Sequence, residues 1–206
     1  IYEEEFHMRT IKKVASHIFI DGFGGMTQGL FATLIIGTMI QQIGLLIGGS
    51  TGNVIYLLGK AAAALTSAGI GVGVAVKYGE SPLVTVSAAV AAMVGGYAGK
   101  ITGGTFFVDG NAVLAGPGEP LGAFIAAFAG ITCGHLVSGK TKVDIIVTPV
   151  VTIGVGSVVG LLVGPPISQM MTGLGSIINW ATEQRPFIMG IVVSVVMGMV
   201  LTLPIS

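Results

Sequence analysis

Few side chains in this protein can do chemistry, and they stand out because only 9% of its 206 residues are charged. Glu119, in the run GPGEPLG, is the first candidate. A carboxylate set between glycine and proline, directly before an apolar segment, sits on backbone that is not helical. At membrane depth such backbone is tolerated where protein covers it or where it lines water. The carboxylate can accept hydrogen bonds from two hydroxyls of a ligand, and the glycines leave N–H and C=O groups open beside it. The competing account is a solvated glutamate at a helix N-terminus, favoured there by the helix dipole. Asp109 and Asn111, in VDGNAV, either complete a polar pocket with Glu119 or form a plain Asp-Gly turn. His135 lies near the end of the next apolar segment. Beside a pore it would donate to a hydroxyl or relay a proton; otherwise it snorkels toward water. Cys133 is the single cysteine, so it has no disulfide partner within the chain, and with His135 it makes too small a set for a metal site. No catalytic triad, phosphate loop or cofactor fingerprint is evident. Gly69, Gly71 and Gly73 lie inside an apolar span and lack the strand-turn-helix setting of a dinucleotide motif.

The elements that must carry these residues are set by composition. Apolar residues make up 52%, glycine accounts for 34 positions, and the mean hydropathy is +0.93. A disordered chain needs low hydrophobicity and high charge. A nucleic-acid binder needs a basic surface, whereas here nine Lys and Arg balance nine Asp and Glu. An all-α integral membrane protein is what remains. About six spanning helices of ~20 residues fit in the chain, with no room for a separate soluble domain.

Residues 1–20 place Ile11, Val14, Ala15 and Ile18 at helical spacing on one face. This is an amphipathic cytoplasmic or interfacial helix, or else a solvated lead-in to the first span. Residues 21–206 form the polytopic part. Its spans are expected at about 23–48, 54–76, 82–99, 121–138, 145–164 and 187–203, by apolar length and turn signals. The Gly/Pro-rich run 100–120 is a re-entrant or irregular insert between the third and fourth. Gly164, Pro165 and Pro166 are expected to stop the fifth, with a short interfacial or re-entrant helix over 167–182. With the N-terminus inside, six basic residues (Arg9, Lys12, Lys13, Lys77, Lys140, Lys142) face three outside (Lys60, Lys100, Arg185). That agrees with the positive-inside rule. The span ending at Leu203–Ser206 without a polar tail gives the expectation of a chain incomplete at its C-terminus.

Small residues recur every four positions: Gly95, Gly99, Gly103; Gly122, Ala126, Gly130, Gly134; and Gly156, Gly160, Gly164. Such stripes let helices pack closely in lipid. Gly69, Gly71 and Gly73 alternate instead, and are expected to loosen their helix or let backbone line a cavity.

Three ordered runs, DGFGGMTQGLFATLIIGTMIQQIG, GGTFFVDGNAVLAGPGEPLGAFIAA and IIVTPVVTIGVGSVVGLLVGPPI, resemble the type 2 membrane EIIC component of the bacterial phosphotransferase system. That family includes perfringolysin regulator-like proteins. The resemblance implies the N-terminal part of a sugar permease in the bacterial plasma membrane, multi-pass and with a cytoplasmic N-terminus. Separate EIIB and EIIA partners would supply phosphate, since the chain has no phosphotransfer module of its own. A homodimer is implied by analogy. By the same loose analogy Glu119 is the hydroxyl-binding carboxylate; no motif-level match transfers His135 or Asn111. Two alternatives remain open at this point: a non-transporting sensor or regulator, and a carrier or channel for another solute.

Overall fold

In a computed structural model the described residues are 17–114, 116–183, 190, 191, 194 and 195. Most of the amphipathic segment over 1–20 and most of the expected span over 187–203 lie outside them.

The described chain is mostly helical, broken where its local chemistry demands. A π-helical turn at His17–Gly22 leads into α1 (Phe23–Leu30). A second π turn, Phe31–Ile35, joins it to α2 (Ile36–Ile47), so one apolar rod runs over Ile20–Ile47. Gly48 and Gly49, both at positive φ (67° and 63°), turn the chain into α3 (Gly49–Ala64). α4 (Thr66–Lys77) follows after a 52° bend at Leu65. Ser81 caps α5 (Pro82–Gly96), its Oγ accepting from the Val84 N–H, with Pro82 in the first turn, where a missing N–H costs nothing. Tyr97 separates α5 from the short α6 (Ala98–Thr102). A two-residue hairpin comes next: β1 (Phe107–Val108) pairs antiparallel with β2 (Asn111–Ala112), Val108 opposite Asn111. α7 (Pro120–Val137) and α8 (Asp144–Glu183) complete the described part.

Three of these helical runs are long and apolar enough to cross a membrane: Ile20–Ile47, Pro120–Val137 and Asp144–Ser176. The bent pair α3–α4 makes a fourth if it counts as one span. The expected third span is instead the 15-residue α5, ended early at Tyr97. The expected stop at Pro165–Pro166 does not occur either. α8 runs straight through Pro149, Pro165 and Pro166 as a 40-residue helix, absorbing the separate short helix expected over 167–182. Proline is tolerated inside membrane helices because neighbouring helices and local adjustments satisfy the freed carbonyls. Here Gly164 lies directly against Ala98, so the proline-bearing turn is packed against the next element.

The three glycine stripes meet one another. A Cβ added to Gly95 would stand 2.4 Å from both the Ala126 Cβ and the Gly122 carbonyl. One on Gly130 would stand 2.6 Å from the Thr152 carbonyl, and one on Gly160 2.8 Å from the Gly95 Cα. So α5, α7 and α8 touch backbone to backbone, as small-residue stripes allow in lipid. Gly69, Gly71 and Gly73 are packing residues too, which corrects the expectation that they loosen α4 or line a cavity. Two residues apart on a helix is about 200° of rotation, so they serve opposite faces. Gly69 and Gly73 meet Gly29 and Gly25 of α1, and Gly71 faces α5, where an added Cβ would stand 2.5 Å from the Ala88 carbonyl oxygen.

Two alanine substitutions separate these roles. Gly95→Ala is expected to force α5 off α7 and cost about 1–3 kcal/mol, as overpacking does. Gly154→Ala, on an exposed part of α8 where a Cβ meets nothing within 4 Å, is expected to be neutral or to gain up to about 1 kcal/mol of helix propensity. Thermal unfolding midpoints in detergent check both.

Candidate functional site

The backbone breaks at Leu65 and Tyr97 and the Gly/Pro-rich run before α7 come together at one place. Counted from the polar turn at residues 78–81, α4 rises about 18 Å and α5 about 22 Å at 1.5 Å per residue. A bilayer core is about 30 Å thick. Each helix is therefore shorter than a full crossing, and polar backbone groups freed at its end within an apolar bundle need internal partners.

The partners are specific. The Tyr97 hydroxyl, on a side chain with almost no exposure, shares its one proton between the Gly116 carbonyl and the Ala64 carbonyl, the latter at 3.3 Å. The Ser67 hydroxyl, also buried, donates to the Pro117 carbonyl at 2.9 Å. The Glu119 N–H donates to the Gly96 carbonyl at 2.7 Å. Gly118, at φ 76°, fits against Ser67: a Cβ there would sit 2.5 Å from its Oγ. The GPGEP run is thus threaded between the ends of two broken helices and fastened at Gly116, Pro117 and Glu119.

Glu119 occupies the N-cap position of α7 but makes no side-chain cap bond. Its carboxylate is left for another use. It lines a cavity of about 290 Å³ with Gly96, Gly99, Lys100, Gly118 and Ser168 among its walls. The volume is at the small end of ligand pockets, which run from about 300 to 1,000 Å³. Glu119 precedes the span that begins at Pro120.

The other sequence candidates are placed elsewhere. Asp109 and Gly110 both take positive φ, 51° and 77°, as a two-residue primed hairpin turn requires. The Asn111 side-chain amide donates to the Asp109 carbonyl at 3.3 Å. Both side chains are exposed at the hairpin tip, and neither lines the Glu119 cavity. The hairpin is nevertheless tied to the site at its base. The Phe106 N–H donates to the Lys100 carbonyl, and the Phe106 ring packs on Tyr97 at 5.3 Å between centroids. His135 lies sixteen residues further along α7 than Glu119, about 24 Å at 1.5 Å per residue. There its Nδ1 pairs with the Glu80 carboxylate at 3.0 Å, with the imidazole 71% exposed and the Glu80 side chain 8% exposed. Ser81 and Ser138 share a hydrogen bond of 3.1 Å at the same end. The structure therefore brings Glu119 to a cavity and puts His135 in a separate polar cluster.

Three site residues escape sequence reasoning. Lys100 reads as the end of a span, Tyr97 falls unremarked inside the expected span over 82–99, and Ser168 reads as part of a short separate helix. Only the three-residue spacing of Tyr97 and Lys100 hints at their pairing, the ammonium lying 5.3 Å from the ring centroid. Among the described residues no group of three His, Cys, Asp or Glu side chains is placed to hold a metal ion.

A fastened, irregular segment with Glu119 at a small cavity thus lies within a bundle of apolar helices. The family model for the phosphotransferase system EIIC matches residues 20–206. Neither a curated protein nor a solved structure matches the chain. The family match covers all but the first nineteen residues and agrees with the all-helical, apolar architecture, so this chain belongs to the type 2 EIIC family, the sugar-specific membrane permease components of the phosphotransferase system.

Proposed function

We propose that the chain binds a monosaccharide-sized sugar at the Glu119 cavity and carries it across the bacterial plasma membrane by alternating access. The observation that carries this reading is the position of Glu119, on non-helical backbone wedged between the ends of α3, α4 and α5. Discontinuous helices of this kind supply substrate sites near the bilayer midplane in secondary transporters. A carboxylate accepts from two sugar hydroxyls at once, and hydrogen bonds to a charged acceptor are the strong ones. Phosphate comes from EIIB and EIIA partners, and the N-terminus is cytoplasmic, as the distribution of basic residues favours.

The working unit in this proposal is a homodimer. α2 and α3 pack chiefly on each other, through Gly37, Gly44, Gly52 and Gly59, and project from the remaining helices. Their outer faces carry Leu45, Leu46, Leu57 and Leu58 together with exposed Gln42 and Lys60. Polar side chains facing lipid are costly, and a second copy of the arm would cover them. Asp109 and Asn111, at the tip of the hairpin, are assigned to the rim above the cavity in this reading and not to direct contact. His135 is assigned to the Glu80 cluster.

Uptake of labelled sugar into proteoliposomes, with and without EIIA and EIIB, tests transport; binding without flux would favour a sensor. Glu119→Gln is expected to weaken sugar binding about 10- to 100-fold, equivalent to about 1.5–3 kcal/mol for a hydrogen-bonded charge. Unchanged binding would remove Glu119 from the site. Tyr97→Phe keeps the ring but removes the one proton that the part-buried Ala64 and Gly116 carbonyls share, at a cost of about 0.5–1.5 kcal/mol. It is expected to lower the unfolding midpoint and to weaken sugar binding, because the GPGEP run loses its fastening. Isothermal titration and thermal unfolding of the same preparations read both effects.

A further inference from the structure

The Glu119 cavity carries a second charge, of opposite sign, and the combination restricts what can enter. Lys100 lines the cavity alongside Glu119. Its ammonium lies 5.3 Å from the centroid of the Tyr97 ring. That ring is held at its far end by the hydroxyl bonds to the Ala64 and Gly116 carbonyls. The cation therefore rests on a platform that the fold has already fixed. Lys100 also anchors the hairpin base, its carbonyl accepting from the Thr105 and Phe106 N–H groups at 3.0 and 3.1 Å. Ser168 of α8 closes another wall, against Gly99, where an added Cβ would stand 2.9 Å from its Oγ. The small space thus holds an acceptor-only carboxylate, a donor-only ammonium and a hydroxyl able to do either.

We infer that Lys100 is the second substrate contact of the site and that, with Glu119, it selects an uncharged monosaccharide over sugars that carry charge. The inference rests on the reading of this cavity as the sugar site. In it the carboxylate accepts from hydroxyls and the ammonium donates to a hydroxyl, ring or acyl oxygen. A neutral polyol satisfies both groups without repulsion. A sugar acid sets a like charge beside Glu119, and an amino sugar sets one beside Lys100. In a partly water-excluded pocket either contact is screened less than in bulk solution. Discrimination then works in both directions, and each residue accounts for one of them.

The test is binding of glucose, glucosamine and glucuronate, near neutral pH, to the full chain in detergent, compared with Lys100→Gln, Lys100→Met, Lys100→Arg and Glu119→Gln. Wild type is expected to bind glucose at least about tenfold more tightly than either charged sugar, the order of effect of one like-charge contact. Lys100→Gln is expected to move the glucosamine-to-glucuronate affinity ratio about tenfold toward glucosamine. Glu119→Gln should move it about tenfold the other way, and Lys100→Arg should restore the wild-type ratio. Lys100→Met keeps the apolar stem over the Tyr97 ring and should behave as Lys100→Gln does, so it serves if the glutamine variant fails to fold; unfolding midpoints establish which are folded. An unchanged ratio in the folded Lys100 variants, with binding lost in Glu119→Gln, overturns the role of Lys100 and leaves the Glu119 site standing. Binding indifferent to both residues, or absent in wild type for all three sugars, overturns the sugar site itself. Tightest wild-type binding of a charged sugar overturns the selection for neutral ones.

Discussion

A backbone carbonyl that leaves a helix inside an apolar bundle must find a donor from the protein, because lipid offers none. The Tyr97 hydroxyl shares its single proton between two such carbonyls, Ala64 where α3 ends and Gly116 where the irregular run approaches α7. Ser67, in the first turn of α4, meets the constraint at Pro117, and the Glu119 N–H meets it at the end of α5. Each of these bonds joins a helix break to a different stretch of chain. The breaks support one another, since each supplies a donor or acceptor to another. The site is therefore a consequence of how three interruptions satisfy one another, and the Glu119 carboxylate is the group left over once the backbone is accounted for.

Such cross-bonding needs helices that approach much more closely than leucine-faced helices do. The glycine stripes provide this. Gly95 and Gly122 bring α5 and α7 into backbone contact two residues before the break at Tyr97, and Gly160 and Gly164 bring α8 onto the same spot. Gly99 then continues the α5 stripe across the break, and its neighbour on α8 is Ser168. The stripe that packs the helices thus runs directly into the cavity wall. A larger residue at these positions would separate the elements whose ends must share hydrogen bonds, so packing and site geometry depend on the same glycines.

The sequence made the apolar class, the small-residue stripes and the prominence of Glu119 readable, because each is written in local composition. A charge between Gly118 and Pro120 is conspicuous in a chain so poor in charge. The Asp109–Gly110 turn was readable for the same reason, since few residue pairs accept two consecutive positive φ values. What stayed hidden is set by distant partners. Nothing near Leu65 is a helix breaker; that bend is stabilised by Tyr97, thirty-three residues away. Pro165 and Pro166 are breakers by local rule, yet α8 continues through them beside Ala98 and Gly95. His135 and Glu80 are fifty-five residues apart and meet only because the turns before α5 and after α7 share one end of the bundle.

Lys100 shows why the site's second charge was the hardest part to see. At the end of an apolar segment a lysine ordinarily marks the water boundary, and its long stem lets it reach that boundary from well inside. Here α5 stops early, so the residue that counting puts at the surface lies beside the break instead. The stem lies over an aromatic ring whose own hydroxyl is committed to backbone carbonyls. A charge so placed would be costly in a uniformly apolar setting, and the counter-charge that offsets it faces the same cavity on Glu119. Each group makes the other tolerable, and a neutral ligand rich in hydroxyls can bridge them without adding a charge of its own.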